Sequence, residues 1–258
     1  MTGGATSFIE GPLLPLPGFD ELDEAARCDF SAAEHLLRSG GLSMALGSTR
    51  IEAAILQRKA IQALEHELSP FYAERNDPKP LRSDRGATER AVADLLVEAW
   101  SSRVFPSPSE ALSLLQMVVR RLEAGTWRKS DVWCRPDRLG CAVRFPHHGK
   151  IRARLLELHE RLEANYAPQP LFAATLALCS LSSLHPLTDG NGRLSRIIFN
   201  TIVRTRFDPD FHIPLYALDH ASNAGYIISL RRAQHHNQWA DLAAFILNAL
   251  LLFSPSGR

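Results

Sequence analysis

The segment 171–184, LFAATLALCSLSSL, constrains the fold more than any other stretch, because it is apolar on every side. A helix of this kind has to be buried all round, so other helices must pack against it. Pro186 ends the helical pattern. Apolar residues then return at helical spacing from Leu194 to Val203, which predicts a second core helix starting near Gly192.

A polar segment, HPLTDGNGRLSR over residues 185–196, joins these two predicted helices. Gly190 and Gly192 let backbone N–H groups turn toward one point at a helix N-terminus, which is an anion site suited above all to phosphate. Arg193 and Arg196 are three residues apart, so they share a face of the helix and can both reach that anion.

Three further side chains in the same segment carry chemistry. Asp189 is a hard oxygen ligand suited to Mg²⁺ on a diphosphate. His185 can take up a proton near neutral pH. Asn191 lies between the two glycines. A plain glycine-rich turn would not explain why these groups and two arginines converge, so the segment predicts phosphate chemistry.

The segment resembles the signature of the Fic family, His-x-Phe-x-(Asp/Glu)-Gly-Asn-Gly-Arg-x-x-Arg. Every polar and glycine position matches; Leu187 stands where the family usually has Phe, a position that we assign to core packing. The resemblance implies an all-α, mainly helical fold, the Fic helical bundle with one β-hairpin flap. It divides the chain into an N-terminal helical region, 1–89, and a catalytic core, 90–258.

The resemblance also implies an activity, the transfer of AMP from ATP to a Tyr, Ser or Thr hydroxyl of a target protein. His185 would be the catalytic base and Asp189 the ligand of Mg²⁺. The loop Gly190, Asn191 and Gly192 would grip phosphate oxygens, with Arg193 on the β-phosphate and Arg196 on the γ-phosphate. Removal of AMP, transfer of UMP, and a catalytically weak ATP-binding interaction module stay open as alternatives.

Residues 47–68, GSTRIEAAILQRKAIQALEHEL, predict an amphipathic helix capped near Ser48, with Glu52 in its first turn. Ser48-x-x-x-Glu52 resembles the inhibitory motif of Fic proteins, (Ser/Thr)-x-x-x-Glu-(Gly/Asn), although Ala53 replaces the last residue. The resemblance implies that Glu52 pairs with Arg196, where the γ-phosphate would bind. Glu10 lies in a rival match, but prolines follow it at once, so we prefer Glu52.

Residues 127–146, WRKSDVWCRPDRLGCAVRFP, predict the one hairpin of the chain, which we call the flap. In Fic proteins a flap at this position clamps an extended segment of the target by main-chain pairing, so the resemblance implies a protein partner docked here. Residues 1–20 are rich in Gly and Pro and predict an extended arm. The resemblance places Tyr226 beside the adenine.

Composition sets the remaining expectations. The net charge of +1 gives no broad basic field for nucleic acid, and 45% hydrophobic residues are ordinary for a globular protein. Four widely spaced cysteines form no Cys-x-x-Cys pair. No signal peptide and no membrane-spanning run is visible, so we expect a cytoplasmic protein. The oligomeric state stays open, a homo-oligomer included.

Overall fold

The computed structural model describes residues 7–11, 13–40, 42, 83–100, 104–122, 125–134, 141–221 and 225–254. These residues contain nine α-helices and two short strands, which confirms the predicted mainly helical fold. The helices are α1 (Glu24–Arg38), α2 (Ser83–Ala99), α3 (Pro108–Leu122), α4 (Ile151–Tyr166), α5 (Pro170–Leu184), α6 (Asn191–Arg206), α7 (Leu215–Ala221), α8 (Gly225–His236) and α9 (Ala240–Leu251); the strands are β1 (Ser7–Glu10) and β2 (Cys141–Arg144). None of the described helices is long and apolar enough to cross a membrane.

The predicted central helix, α5, is buried along nearly its whole length. It packs along α6, and α4, α1 and α8 also contact it. Pro170 opens α5 at a position where a missing N–H costs nothing. The next N–H, that of Leu171, donates to Glu34 Oε1 of α1 at 2.9 Å, so α1 helps to cap the core helix.

The described part of the N-terminal arm, residues 7–11 and 13–18, contains β1 and no helix, in agreement with the prediction, and is held against the body. Leu16 is buried, Phe19 packs edge-on against Phe172 at 5.6 Å between ring centroids, and Arg154 donates to the carbonyl of Leu14. The arm leads into α1. α1 packs against α9 and so belongs to the same core as the C-terminal helices.

The structure corrects two further expectations and leaves two others untested. The sequence pattern placed Ala91, Leu95, Leu96 and Ala99 on the inward face of α2. Of these four residues Leu96 is buried, together with Val92 and Ala93, whereas the other three are exposed. The connector after α6 contains α7, which was not predicted because Pro214 was read as a residue that interrupts helices. A proline is tolerated at the start of a helix, and α7 begins directly after Pro214. The predicted helix over 47–68 lies outside the described residues. The boundary between 89 and 90 stays a prediction, and α2 runs across it.

The flap forms the predicted antiparallel pairing. Phe145 N donates to Val132 O at 3.0 Å and Cys134 N to Val143 O at 2.9 Å. A further strand joins it: β1 pairs in parallel with β2, in the register Ser7↔Cys141 to Glu10↔Arg144. This pairing was not expected from the sequence. It makes β2 the middle strand of the flap, with residues 132–134 on one edge and β1 on the other.

Candidate functional site

His185 ends α5 in the left-handed region, with φ 50 and ψ 57. Its N–H still donates to Leu181 O at 3.1 Å, so the helix closes at this residue and the chain turns sharply out of it. A histidine accepts this conformation more readily than a β-branched residue, and Pro186 prevents the helix from continuing. The end of the apolar helix therefore presents an imidazole at the start of the polar loop.

The imidazole of His185 is fixed on two sides. Its Nδ1 lies 2.9 Å from Ser182 O, a carbonyl that can only accept, so Nδ1 carries the proton and Nε2 holds a lone pair. The ring stacks on Phe145 of the flap, with centroids 3.6 Å apart and planes inclined by 10°. Burial lowers the pKa of His185 to about 4, so the ring is neutral at pH 7.

The loop after His185 is bonded to the chain just before the flap. Trp127 and Leu187 form an antiparallel bridge, and Thr188 N donates to Thr126 O at 2.9 Å. Gly125 makes this contact possible, because a Cβ there would lie 2.6 Å from the carbonyl oxygen of Asp189. The loop thus has a defined shape rather than that of a free glycine-rich turn.

Arg128 is a site residue that the sequence analysis missed. Its side chain is 0% exposed, and Nη1 lies 3.9 Å from Asp131 Oδ1. It donates to four backbone carbonyls: Nε to His185 at 2.6 Å, Nη2 to Leu184 at 3.1 Å and also to Pro146, and Nη1 to Ser130 at 3.1 Å. A cation at the C-terminus of α5 also suits the helix dipole. Arg128 therefore ties both ends of the flap to the residue that carries the imidazole.

The backbone N–H groups at the start of α6 could bind an anion, whereas the side chain of Asn191 is bonded to the loop before the helix. Gly190 caps the helix in the left-handed region at φ 83. Asn191 is buried, its Oδ1 accepts from Leu187 N at 2.8 Å, and its Nδ2 donates to Leu187 O at 2.9 Å. The expected side-chain grip on phosphate is therefore replaced by a clamp on the loop. Leu187 lies in the core, as predicted.

Asp189 and Arg193 lie at the outer side of the same loop. The carboxylate side chain of Asp189 is 75% exposed, and its contact with Arg193 Nη2 is long, at 3.4 Å. Arg193 Nη1 reaches Leu122 O only at 3.5 Å. Both groups are weakly held, so each can turn toward a bound phosphate or cation. An exposed carboxylate of this kind fits the chemistry of a magnesium ligand.

Arg196 pairs with a carboxylate that the sequence analysis did not mark. Its Nε donates to Glu89 Oε2 at 2.9 Å and its Nη2 to Glu89 Oε1 at 2.5 Å, a bidentate pair in which Glu89 is 4% exposed. Burial alone would lower the pKa of Arg196, and the hydrogen bond and charge of Glu89 raise it. Glu52 lies outside the described residues, so its pairing with Arg196 stays a prediction.

The sequence held a signal for Glu89. It precedes Ala93 and Leu96 by four and seven residues, so it lies on the buried face of α2. A carboxylate on such a face needs a cationic partner. Glu10, the rival inhibitory residue, is part of β1 and pairs with Arg144 along the backbone.

Tyr226 lies in the core rather than at an open surface. It is 1% exposed, and its ring is tilted against Phe245 with centroids 6.0 Å apart. Burial raises the pKa of its hydroxyl. The observed contacts of Tyr226 are thus packing contacts, and its place beside the adenine, which the resemblance implies, stays a prediction.

Among the described residues, one cluster where the flap ends could hold a cation: Asp131, His147 and His148 offer ligand atoms within 4.8 Å of one another. Two imidazoles and one carboxylate suit zinc better than Mg²⁺. The carboxylate is also engaged, since Arg144 Nη2 lies 2.6 Å from Oδ2 and His148 Nδ1 lies 3.1 Å from Oδ1. This cluster therefore does not fit a magnesium site for a nucleotide.

Comparison with known proteins gives consistent matches. Residues 105–203 match the sequence profile of the Fic/DOC family. The chain is 31% identical over 104 residues to a Fido domain-containing protein of Dictyostelium discoideum, a match that covers 39% of this chain and 69% of that protein.

Two solved structures share the fold. A Fic family protein from Desulfovibrio desulfuricans superposes with a TM-score of 0.56 at 19% identity, over 92% of this chain and 74% of that one. Fic-1 from C. elegans superposes with a TM-score of 0.51 at 15% identity, over 89% of this chain and 70% of that one.

Proposed function

Because the chain belongs to the Fic/DOC family, we propose that it is a protein adenylyltransferase that moves AMP from ATP to a Tyr, Ser or Thr hydroxyl of a target protein. The observation that carries the proposal is the fixed imidazole of His185, whose Nδ1 is bound to Ser182 O. Its Nε2 is left with a lone pair beside a helix N-terminus that suits phosphate.

In the proposed step, Nε2 of His185 takes the proton of the target hydroxyl. The hydroxyl oxygen forms a bond to the α-phosphorus of ATP, and the bond from that phosphorus to the bridging oxygen breaks. Pyrophosphate leaves with the electron pair, and the proton stays on the imidazole until solvent takes it. Atoms and charge balance without any oxidant or further reactant. Ser182 and Phe145 keep the ring in place while this occurs.

The start of α6 would hold the phosphates. Its first backbone N–H groups, together with those around Gly190 and Gly192, would bind the anion, and the loosely held Arg193 can turn toward the β-phosphate. Asp189 would hold Mg²⁺, which supplies neutralisation of charge on the leaving pyrophosphate. The exposure of Asp189 supports this assignment.

We further propose that a carboxylate paired with Arg196 inhibits the enzyme. Arg196 is the arginine expected on the γ-phosphate, and Glu89 takes up two of its donors. ATP would have to compete with this pair for the guanidinium. Glu52 keeps its place as a second candidate for the same arginine, with Ser48 as its cap.

The test is transfer of label from α-labelled ATP to proteins of a lysate by wild type and by His185→Ala. Loss of the base should lower transfer by about 10²-fold or more while binding of ATP persists. His35→Ala, at an exposed position on α1, is the matched control and should label at the wild-type rate. Transfer by His185→Ala at the wild-type rate would remove this residue from the mechanism.

The same assay separates the alternatives. Incorporation from α-labelled UTP in place of ATP would point to UMP transfer. Release of AMP from a pre-labelled target would point to the reverse reaction. Binding of ATP by the wild type without any increase in target mass would indicate an interaction module.

A further inference from the structure

The family resemblance implies that an extended target segment pairs with the flap, and we infer that residues 7–10 occupy the outer edge of β2, the edge opposite residues 132–134, in place of such a segment, without offering a hydroxyl near His185. This inference rests on the proposed function, since it names the surface through which a target strand would reach the site. It also adds a form of regulation that is separate from the pair Arg196–Glu89.

The pairing pattern shows that β1 covers the edge completely. Val143 O accepts from Cys134 N, and Phe145 N donates to Val132 O. These groups therefore lie on the edge of β2 that faces residues 132–134, which we call the inner edge. On the other side, Gly11 N donates to Arg144 O at 2.8 Å. Successive residues of a strand alternate in the direction of their N–H groups, so in the observed register Ile9 and Gly11 donate to β2, while the N–H of Phe8 points away.

The arm holds β1 in place by a short tether. A few residues after Gly11, Arg154 binds the carbonyl of Leu14, and Leu16 is buried. A segment tied this closely has an effective concentration of roughly millimolar or more at its partner. A weakly binding target segment would have to displace a strand that is always present.

The direction of β1 points its downstream end toward the site. Glu10 pairs with Arg144, and the next residue of the flap is Phe145, whose ring lies on His185. A segment paired in this register therefore brings its residues after position 10 to the flap end nearest the imidazole. In this chain the first of those residues is Gly11.

The composition of the arm makes β1 a poor acceptor. The chain has no Ser, Thr or Tyr from Phe8 to Phe30, so no hydroxyl follows the paired strand into the site. Ser7 lies at the opposite end, opposite Cys141 and about 10 Å further along a strand of 3.3 Å per residue. The strand thus fills the docking edge without offering an oxygen nucleophile near His185.

The test uses the full chain with proline substitutions in β1. Ile9→Pro removes an N–H that bonds to β2, and Gly11→Pro removes the one that bonds to Arg144 O. Phe8→Pro is the matched control, because its N–H points away from β2. Amide hydrogen exchange at Ala142 and Arg144 reports on the covered edge without any nucleotide.

We expect at least tenfold faster exchange at Ala142 and Arg144 in Ile9→Pro and Gly11→Pro, and unchanged exchange in Phe8→Pro. A fluorescent peptide with the sequence ATSFIEGP should bind the two opened variants at least tenfold more tightly than wild type. Target labelling should rise in the same two variants.

Unchanged exchange at these amides in both opened variants would overturn the inference, as would equal binding of the peptide to all four proteins. Faster exchange with peptide binding, but no label transfer by any variant, would leave the docking edge in place and reject the proposed transferase activity instead. The two failures are therefore distinguishable.

Discussion

Arg196 and Glu89, which are 107 residues apart in the sequence, form a bidentate ion pair in which both carboxylate oxygens of Glu89 accept hydrogen bonds from the guanidinium of Arg196. Both side chains are almost fully withdrawn from water. Removing one partner of such a pair leaves an uncompensated buried charge, which typically costs about 3–5 kcal/mol. If ATP binds at Arg196 as proposed, this pair would link the stability of the fold to nucleotide binding.

Glu89→Gln should lower the free energy of unfolding by about 3 kcal/mol and should raise target labelling several-fold. It keeps the shape of the side chain but frees the charge of Arg196 for the γ-phosphate. Thermal unfolding with and without ATP should show a larger ATP-induced rise in Tm for Glu89→Gln than for wild type. Glu98→Gln, at an exposed position on the same helix, is the control.

Glu52→Gly and Glu10→Gly belong in the same labelling experiment. If Glu52 is the inhibitory residue, its variant should gain labelling while Glu89→Gln only loses stability. A gain in Glu10→Gly alone would favour the rival assignment. Unchanged labelling in Glu89→Gln, together with an unchanged response of Tm to ATP, would show that Glu89 is a structural partner of Arg196.

The pH dependence of transfer follows from His185. With its pKa lowered to about 4 by burial, the imidazole stays neutral as pH falls through the usual histidine range near 6.5. The acid limb of kcat/KM should therefore have its midpoint below about pH 5. A midpoint near 6.5 would show that the ring is hydrated in the working enzyme.

Stability has a related pH dependence. The unfolded chain binds protons at His185, His212 and His235 between pH 6.5 and about 4, whereas burial keeps all three neutral in the fold. Stability contributed by these groups is therefore fully present above about pH 6.5 and is lost as pH falls toward 4. Urea unfolding at pH 7.5 and pH 5 should show the decrease.

Arg128→Met should impair both folding and transfer, because it leaves four backbone carbonyls without their donor. We expect a loss of about 3 kcal/mol in stability and a fall in kcat larger than any rise in KM for ATP. Arg128→Lys keeps the charge but cannot span the carbonyls, so it should rescue little. Arg120→Met, at an exposed position on α3, controls for loss of an arginine.

Gly125→Ala should lower transfer by at least tenfold with a smaller effect on stability. The added Cβ would approach the carbonyl oxygen of Asp189 to 2.6 Å and its nitrogen to 2.9 Å, so the loop must move. Gly18→Ala is the control, since the nearest atom to its Cβ is a flexible Arg161 nitrogen at 3.7 Å. Wild-type transfer by Gly125→Ala would show that the loop position tolerates displacement.

Local patterns predicted the centre of the molecule. The apolar run that became α5, the turn at His185 and the start of α6 all depend on residues within a few positions of one another, which periodicity and glycine placement report well. The position of Leu187 in the core follows from the same short stretch.

The partners of those residues could not be predicted in the same way. Arg128 reaches His185 across 57 residues, and Glu89 reaches Arg196 across 107. β1 pairs in parallel with a strand more than a hundred residues away, which no local pattern encodes. The burial of Tyr226 and the clamp made by Asn191 likewise depend on what the folded chain packs around them.

Phe145 leaves β2 and lies flat on the imidazole of His185, so the strand that would receive a target and the ring that would accept its proton share one aromatic surface. A target segment that pairs incorrectly and displaces β2 would also move Phe145 away from the ring and expose the imidazole to water. The contact between Phe145 and His185 would then serve both the selection of the target segment and the exclusion of water from the imidazole.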